Sequence, residues 1–145
     1  MKLTDSFVAA WEPKALALLR IVAGFMFMLH GTQKHLGFPV PRANSVDLLS
    51  LPGIAGAMEI VGGALLIVGL FTRPVAFLLS GLMAFAYFLA HAPQGFWPIV
   101  NRGELAALYS FVFLLFVATG PGALSLDGRK MDDDAAWTLT ASRSS

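Results

Sequence analysis

Four stretches of the chain are apolar on all sides of a helix and come close to the length of a membrane span. Crossing about 30 Å of hydrocarbon takes about 20 mostly apolar residues in an α-helix, and a helix that is apolar all round is buried in protein or in lipid. The stretches run over residues 15–31, 54–71, 75–92 and 105–119, the last lengthened by a first turn from Asn101. The pattern predicts an all-α integral membrane protein, a four-helix bundle with spans over 15–31, 54–71, 75–92 and 101–119.

The connections between the spans carry signals for helix ends. Thr72-Arg73-Pro74 is the whole link between the second and third spans, where the threonine can cap a helix and the proline occupies a first turn that needs no amide donor. So tight a link predicts an antiparallel hairpin. Asn101 and Glu104 have the spacing of a capping box at the start of the fourth span. Residues 32–53 form the one long connection, which is rich in Gly and Pro and predicted to be a partly ordered loop.

The amino-acid composition excludes several classes of protein. The chain of 145 residues is 57% hydrophobic and 13% charged, with a mean hydropathy of +0.70. A water-soluble domain carries about a quarter charged residues, and a chain of this size buries only about two-thirds of its surface when it folds alone, so lipid has to cover the remaining apolar side chains. The lack of cysteine excludes a disulfide scaffold. A net charge of +1 without a basic block argues against a nucleic-acid partner.

The distribution of basic residues predicts the orientation in the membrane. With four spans, both termini and the tight turn lie on one side, which carries Lys2, Lys14, Arg20, Arg73, Arg129 and Lys130, against Lys34, Arg42 and Arg102 on the other. Cytoplasmic loops hold the excess of Lys and Arg, so both termini are predicted to be cytoplasmic, in a multi-pass membrane protein. The chain then divides into a cytoplasmic segment 1–14, a transmembrane domain 15–122 with the outer loop 32–53, and a cytoplasmic polar tail 123–145.

Arg20 and Glu59 are the two ionisable residues that fall clearly inside predicted spans. A charge near the centre of a span costs at least about 2.5 to 3.5 kcal/mol on insertion scales, so such residues normally face the bundle interior and mark function. The two are offset along the membrane normal. A direct pair between them and an Arg20 that extends its charge to the headgroups are both compatible with the sequence.

The topology brings further polar side chains to the outer ends of the helices. This layer contains His30, Lys34, Glu59, His91, Asn101, Arg102 and Glu104, with Tyr87 on the same face of the third span as His91. Around Glu59, Ala55, Gly56, Gly62 and Gly63 allow a neighbouring helix to approach closely. We therefore expect a polar cavity that opens outward.

Each of these residues also has an ordinary structural interpretation. Glu104 completes the capping box, and Lys34 and Arg102 suit hydration at the headgroups. The two histidines lie at helix ends, where an imidazolium is favoured by the helix dipole. Tyr87 and Tyr109 fit an aromatic belt as well as they fit a ligand site. Glu59 alone has no such alternative.

The residue types limit the chemistry of the cavity. Without a thiol the chain cannot exchange disulfides or ligate an iron–sulfur cluster, and the spacing of its His and Glu residues matches no metal or haem motif, so no metal site is predicted. A quinone fits better as a cofactor or substrate: His, Arg or Lys can donate to its carbonyls, a carboxylate can relay protons, and aromatic side chains can cover its ring. A cavity for another small polar molecule would have the same composition.

Several short motifs resemble those of the DoxX family of small four-helix membrane proteins. They are Leu19-Arg20, Gly24, His30-Gly31 and Lys34; Gly56, Glu59, Gly62-Gly63 and Gly69-Leu70-Phe71-Thr72-Arg73; Ala90-His91, Pro93-Gln94-Gly95-Phe96-Trp97-Pro98 and Asn101-Arg102-Gly103-Glu104; and Gly120-Pro121-Gly122 with Leu124-Ser125-Leu126-Asp127. The resemblance covers about residues 15 to 130. It implies an inner-membrane four-helix protein, and it favours a quinone-linked role or a partnership with a redox enzyme without supplying a catalytic set.

The leading hypothesis is an inner-membrane subunit or enzyme of a redox system with a quinone or small polar substrate in an outward pocket. Its catalytic candidates are Glu59, as proton-handling or substrate-orienting acid, with His30, His91 and Glu104. Its substrate-binding candidates are Arg20, Lys34, Tyr87, Asn101 and Arg102. Two alternatives remain: a non-catalytic accessory protein that docks a redox enzyme in the bilayer through its outer loop, and a small-solute transporter, which with four short helices would need a homo-oligomer.

Overall fold

The structure is a computed structural model that describes residues 3–41 and 46–129, and this part of the chain contains five α-helices and no strand. The helices are α1 (Leu3–Leu36), α2 (Leu51–Val68), α3 (Thr72–Ala86), the short α4 (Pro98–Asn101) and α5 (Glu104–Thr119). A π-helical turn (Tyr87–His91) and a 3-10 turn (Ala92–Gln94) continue α3. Arg42 and most of the predicted polar tail lie outside the described residues.

Three helical segments are long and apolar enough to cross a bilayer, namely Asp5–Leu36, Leu51–Val68 and Thr72–Gln94. The fourth apolar helix, Glu104–Thr119, is shorter. The all-α membrane fold is therefore confirmed, although the helices differ in extent from the predicted spans. The first helix is longer than the predicted span at both ends, because Pro13 is accommodated within α1 and the helix continues to Leu36. The second begins at Leu51, so the outer connection is shorter than 32–53.

The bundle consists of two tightly packed helix pairs. In the first pair, α1 lies against α2, and in the second, α3 lies against α5, whereas α2 and α3 contact each other less extensively. Small residues permit the first pairing, because a Cβ on Gly24 would meet the Gly63 carbonyl oxygen, and one on Gly31 would meet the Gly56 carbonyl oxygen. The second pairing includes a hydroxyl of Ser80 that donates to the Ser110 carbonyl at 2.8 Å.

The hydrophobic core lies where the two pairs meet. Phe27, Leu66, Leu79, Phe113 and Phe116 are almost completely buried there. Many other large apolar side chains of the helices are exposed on the outside of the bundle. A soluble protein of this size rarely exposes so large an apolar surface, so the outer surface has the composition expected for contact with lipid.

Arg20 joins the two helix pairs at one end of the bundle. Its side chain is fully buried, and its guanidinium donates to the carbonyl oxygens of Leu66 and Ile67 at the end of α2 and to those of Pro121 and Leu124 beyond α5. The last carbonyls of a helix have no partner within the helix, and five fixed N–H donors can satisfy several of them at once. Arg20 forms neither the direct pair with Glu59 nor the extension to the headgroups that the sequence allowed, because backbone oxygens within reach occupy its donors.

Asp127 caps α3 at the same end of the bundle. Its carboxylate accepts hydrogen bonds from the backbone amides of Phe71 (2.9 Å) and Thr72 (2.8 Å). Thr72 is the first residue of α3 and its hydroxyl is buried without a partner among the described residues, so its predicted role as the cap is wrong. An aspartate reaching in from beyond α5 supplies the cap instead. Pro74 lies in the first turn of α3, as predicted.

Replacement of Arg20 tests whether these backbone bonds hold the bundle together. Lysine keeps the charge but has a single nitrogen, which cannot reach carbonyls on two sides of the bundle. We expect Arg20→Lys to lower the thermal unfolding temperature of the detergent-purified protein strongly and to reduce its yield. Lys14→Arg, an exchange at an exposed position on the same helix, is the control. An unfolding temperature in Arg20→Lys equal to that of the wild type would contradict this assignment.

The cap of α3 should make stability depend on pH in the acid range. Burial raises the pKa of Asp127, but hydrogen bonds from Thr72 and Phe71 and the nearby charge of Arg20 lower it more, so its pKa in the folded protein lies below the ordinary value. The stabilisation is complete above the ordinary aspartate pKa and is lost as the pH falls through the folded-state pKa. Asp127→Asn should cost about 1 kcal/mol at neutral pH and should make stability less sensitive to acid, measured by thermal unfolding across pH. Glu12→Gln, at an exposed position, should behave like the wild type.

Candidate functional site

A cavity of about 640 Å³ lies between four helices at the end of the bundle opposite Arg20. Its walls come from α1, α2, α5 and the region from α3 through its π-helical turn. Most of the lining is apolar, and the polar or ionisable side chains in it are His30, Lys34, Glu59, His91, Arg102 and Tyr109. A largely apolar pocket with a few convergent polar groups is the usual form of a small-molecule site. Five of the seven residues of the predicted polar layer line this cavity.

Glu59 and Lys34 form an ion pair in this wall. The Lys34 ammonium lies 2.5 Å from Glu59 Oε1, and the Glu59 side chain is almost completely buried while that of Lys34 is partly exposed. Glu59 lies about 12 Å from the start of α2 at the helical rise per residue. Small residues at Gly31 and Gly56 bring α1 and α2 close enough for the pair to form across them. The counter-charge of Glu59 is thus Lys34, not Arg20.

Two buried polar atoms of the cavity residues have no hydrogen-bond partner within the described part of the chain. They are Glu59 Oε2 and the hydroxyl oxygen of Tyr109. Leaving a buried polar group unpaired costs about 1 to 3 kcal/mol, and more for a charged group, so such atoms need an explanation in a folded protein. Both residues line the same cavity.

Aromatic rings form the inner end of the cavity wall. The rings of Phe27 and Tyr109 have centroids 5.3 Å apart, and Phe113 packs behind both of them. His30 meets the Tyr109 ring edge-on at 6.4 Å. Tyr109 is buried in this cluster, so its alternative interpretation as part of an interfacial aromatic belt is wrong. A flat ring entering the cavity would lie against these side chains.

The π-helical turn at the end of α3 presents His91 to the cavity. Its Nδ1 lies 3.1 Å from the carbonyl oxygen of Asn101, which can only accept, so Nδ1 carries a proton. The ring of Tyr87 stacks on the His91 ring at 6.4 Å. Single π-helical turns inside α-helices are frequent at functional sites. His91 is therefore held in one orientation by two neighbours, with its Nε2 not engaged by either.

Asn101 holds the connection between α3 and α5 in place and does not line the cavity. Its buried side chain donates to the Gly95 carbonyl at 2.7 Å and to the Tyr87 hydroxyl at 3.3 Å, and accepts from the Gly103 amide at 2.8 Å. The predicted capping box is therefore wrong: the residue preceding α5 is Gly103, and no side chain caps the helix. The amide of Asn101 is committed to the connection instead. Asn101 and Tyr87 position the cavity wall rather than form it.

Arg102 lies at the mouth of the cavity, where it is exposed. Its backbone has φ 58°, in the left-handed region, where residues other than glycine are uncommon. The guanidinium makes no hydrogen bond or ion pair within residues 3–41 and 46–129. Among the described residues it is therefore an unpaired cation at the mouth of the cavity.

The structure thus brings together five of the nine candidate site residues in the cavity wall: Glu59, His30, His91, Lys34 and Arg102. Tyr87 and Asn101 support that wall from behind, Arg20 lies at the other end of the bundle, and Glu104 is exposed outside the cavity lining. Sequence reasoning passed over Tyr109 as a site residue. Its helical position, on the same face as buried Phe113 and Phe116, is the signal that could have identified it.

A second pocket, a wholly apolar groove, lies in the crevice between α2 and α3. It has a volume of about 350 Å³ and is lined by residues from Ala57 to Leu65 of α2 and from Val75 to Leu79 of α3. The cavity is lined by the adjoining segments of α2 and α3, which include Glu59 and Leu82. Along α2 and α3, the cavity with its polar groups therefore lies nearer the ends remote from the turn at Gly69, and the apolar groove lies nearer that turn.

No cluster of three or more His, Cys, Asp or Glu side chains suited to a metal ion occurs in the part of the chain that the structure describes. The cavity histidines and Glu59 come from three different helices, and the only acid among them is already paired with Lys34.

Comparison with known proteins points to one family of membrane proteins. The family model described as DoxX matches residues 15–92, over half of the chain. An uncharacterized protein of Haemophilus influenzae is 52% identical over 124 residues, which cover 82% of this chain and 92% of that protein. The inner membrane protein YphA of Escherichia coli K12 is 30% identical, covering 83% of this chain and 93% of YphA. An uncharacterized membrane protein of Mycobacterium tuberculosis is 27% identical, covering 89% of this chain and 93% of its own. No solved structure matches the chain.

The ion pair in the cavity wall can be tested by removing one or both partners. Lys34→Met leaves a buried carboxylate without a counter-charge, and we expect a loss of about 3 kcal/mol in the free energy of unfolding. The double variant with Lys34→Met and Glu59→Met should recover most of that loss, because an apolar pair needs no partners. Denaturant unfolding in mild detergent measures both. A double variant less stable than Lys34→Met would contradict the pairing, and Lys14→Met serves as the exposed control.

Proposed function

This chain belongs to the DoxX family of membrane proteins, and from that premise we propose that it is an inner-membrane component of a redox system that binds a lipid-soluble quinone, in its oxidised or reduced form. The observation that carries the proposal is the cavity in which Glu59 Oε2 and the Tyr109 hydroxyl lack partners, together with the apolar groove that follows from it. One end suits an oxygen-substituted ring, and the other suits a hydrocarbon tail.

The head of such a molecule fits the chemistry of the cavity. A quinone ring is flat and apolar with oxygens at opposite edges, and the cavity supplies an aromatic wall at Phe27 and Tyr109 with polar groups around it. Its volume of about 640 Å³ is in the range of ordinary ligand pockets. Glu59 would orient the head and exchange a proton with it, and His30 and His91 would lie beside it.

The tail of such a molecule fits the groove. An isoprenoid chain has no polar atoms, and neither do the side chains of the groove, which come from α2 and α3. Ile54, Phe85 and Leu89 line the cavity and are about half exposed to the surroundings of the bundle, so the crevice is bordered by side chains that lipid would contact. A molecule dissolved in the bilayer would enter between α2 and α3 without crossing water.

The proposed location follows from a relative and from charge. YphA, which shares 30% identity with this chain, is named an inner membrane protein. With the termini in the cytoplasm, as the distribution of Lys and Arg favours, the Arg20 end of the bundle would face the cytoplasm and the cavity would lie near the opposite face. Lys34 and Arg102 would then stand at the level of the outer headgroups.

A second candidate is an accessory protein that docks a redox enzyme through its outer connection. The observation that favours it is the exposure of apolar side chains there, since Leu36, Phe38, Val40, Leu48 and Leu49 are all more than half exposed. Such a patch suits contact with a partner or with the membrane surface. The two candidates are compatible, because the connection lies at the mouth end of the cavity.

Tryptophan substitutions along the crevice test the binding proposal. The probe is a benzoquinone with a decyl side chain, titrated in oxidised and reduced form against the detergent-purified protein by calorimetry. Ala55→Trp fills the head cavity and should weaken binding of both forms by about tenfold or more. Val61→Trp fills the groove and should weaken binding of the decyl compound more than that of the analogue with a methyl group in place of decyl.

Ala64→Trp is the matched control, because Ala64 is an exposed alanine on α2 that lines neither the cavity nor the groove. All three variants should elute as the wild type does in size-exclusion chromatography. The proposal is wrong if the wild type binds neither form, or if Ala55→Trp binds as the wild type and Ala64→Trp do.

A further inference from the structure

The unpaired carboxylate oxygen of Glu59 determines which kind of hydrogen-bonding group the ligand must carry. The shape of the cavity does not. The Glu59 carboxylate accepts from Lys34 through Oε1, and its Oε2 is buried without a partner among the described residues. An ionised carboxylate has acceptors only. A molecule that completes this group has to bring a hydrogen-bond donor to Oε2, and an oxygen with lone pairs alone would be repelled there.

His91 sets the same requirement from the other side of the cavity. Its Nδ1 donates to the Asn101 carbonyl, so in the neutral ring its Nε2 carries no proton and accepts. The two groups come from different helices, α2 and the turn that follows α3, and both line the cavity. Two acceptors in one small cavity suit a ligand with two hydroxyl groups.

The remaining polar groups do not reverse this preference. The Tyr109 hydroxyl can donate or accept, so it suits a hydroxyl and a carbonyl equally. The Lys34 ammonium donates one of its three N–H groups to Glu59 Oε1 at 2.5 Å. Arg102 is exposed at the mouth, and His30, beside Tyr109, is also exposed. The buried charged group that lacks a partner among the described residues is therefore an acceptor, Glu59 Oε2.

Building on the proposed function, we propose that the cavity selects the hydroquinone form of its ligand over the quinone form. A quinone has two carbonyl oxygens, which only accept, whereas a hydroquinone has two hydroxyls, each of which donates and accepts. One hydroxyl would donate to Glu59 Oε2 and accept from Tyr109, which satisfies both unpaired atoms at once. The same ring as a quinone can accept from Tyr109 or Lys34 but brings no donor to Glu59 Oε2.

The experiment compares the two redox forms of one compound under anaerobic conditions. The decyl-substituted benzoquinone and its hydroquinone are titrated by calorimetry against the same detergent-purified protein, the latter with excess chemical reductant. Because the chain contains no cysteine, the reductant does not change the protein. We expect the hydroquinone to bind about tenfold more tightly or better, since hydrogen bonds to a charged acceptor are the stronger ones.

Glu59→Gln identifies the source of the preference. A glutamine can still accept from Lys34 through its oxygen and turns an N–H donor toward the cavity, so it can pair with a quinone carbonyl. The preference for hydroquinone should fall to less than about threefold in this variant, while Glu12→Gln, exposed on α1, should keep it. A preference that survives Glu59→Gln would overturn the assignment to Glu59.

A third ligand makes the test independent of any variant that fails to fold. The dimethyl ether of the hydroquinone keeps the ring, the oxygens and the decyl chain but has no donor and does not undergo the same redox change. The wild type should bind it at least about tenfold more weakly than the hydroquinone. Equal binding of hydroquinone, quinone and ether would overturn this inference and leave the proposed function standing, whereas failure of all three to bind would overturn the proposed function itself.

Discussion

The fold depends on satisfying backbone polar groups where water is scarce. In a bilayer an unpaired carbonyl costs several kcal/mol, and the chain leaves several such carbonyls at the ends of α2 and α5. Arg20 donates to the carbonyl oxygens at the end of α2 and in the segment beyond α5. Arg73 donates to the Val117 and Ala118 carbonyls near the end of α5. Asp127 takes the complementary amides at the start of α3. Of these three side chains, Arg20 is fully buried and joins the two helix pairs, whereas Arg73 and Asp127 hold the second pair together.

The sequence predicted the helices well because their evidence is local. Apolar runs, small residues and the short turn at Thr72 are all visible within a few neighbouring positions, and helical periodicity brings the outer polar residues to one level. The depth of Glu59 in an apolar segment was enough to single it out. These properties depend on the period of the helix and on the thickness of the membrane, which do not vary from one fold to another.

The partners of the charged residues were not predictable in the same way. Arg20 binds backbone oxygens, which every residue has and no sequence pattern marks. Asp127 caps a helix that begins 55 residues earlier in the chain, so the local capping rules pointed to Thr72 instead. Glu59 pairs with Lys34 because α1 continues about one turn beyond its predicted end. Asn101 does not cap α5, because its side chain bonds within the connection before that helix. Except for Asn101, each of these predictions failed because a contact between residues far apart in the chain replaced the one that the local pattern indicated.

The division into two helix pairs has a mechanical consequence. Within each pair, backbone lies against backbone or hydroxyls bridge the helices, so neither pair can widen without breaking these contacts. Between the pairs, α2 and α3 are joined by the tight turn that follows Gly69, and the Arg20 hydrogen bonds lie at the same end of the bundle. Any change in the width of the crevice is therefore a tilt of one rigid half against the other about a fixed pivot. The displacement is smallest at Arg20 and largest at Ile54 and Leu89, where the walls of the crevice are already furthest from the pivot.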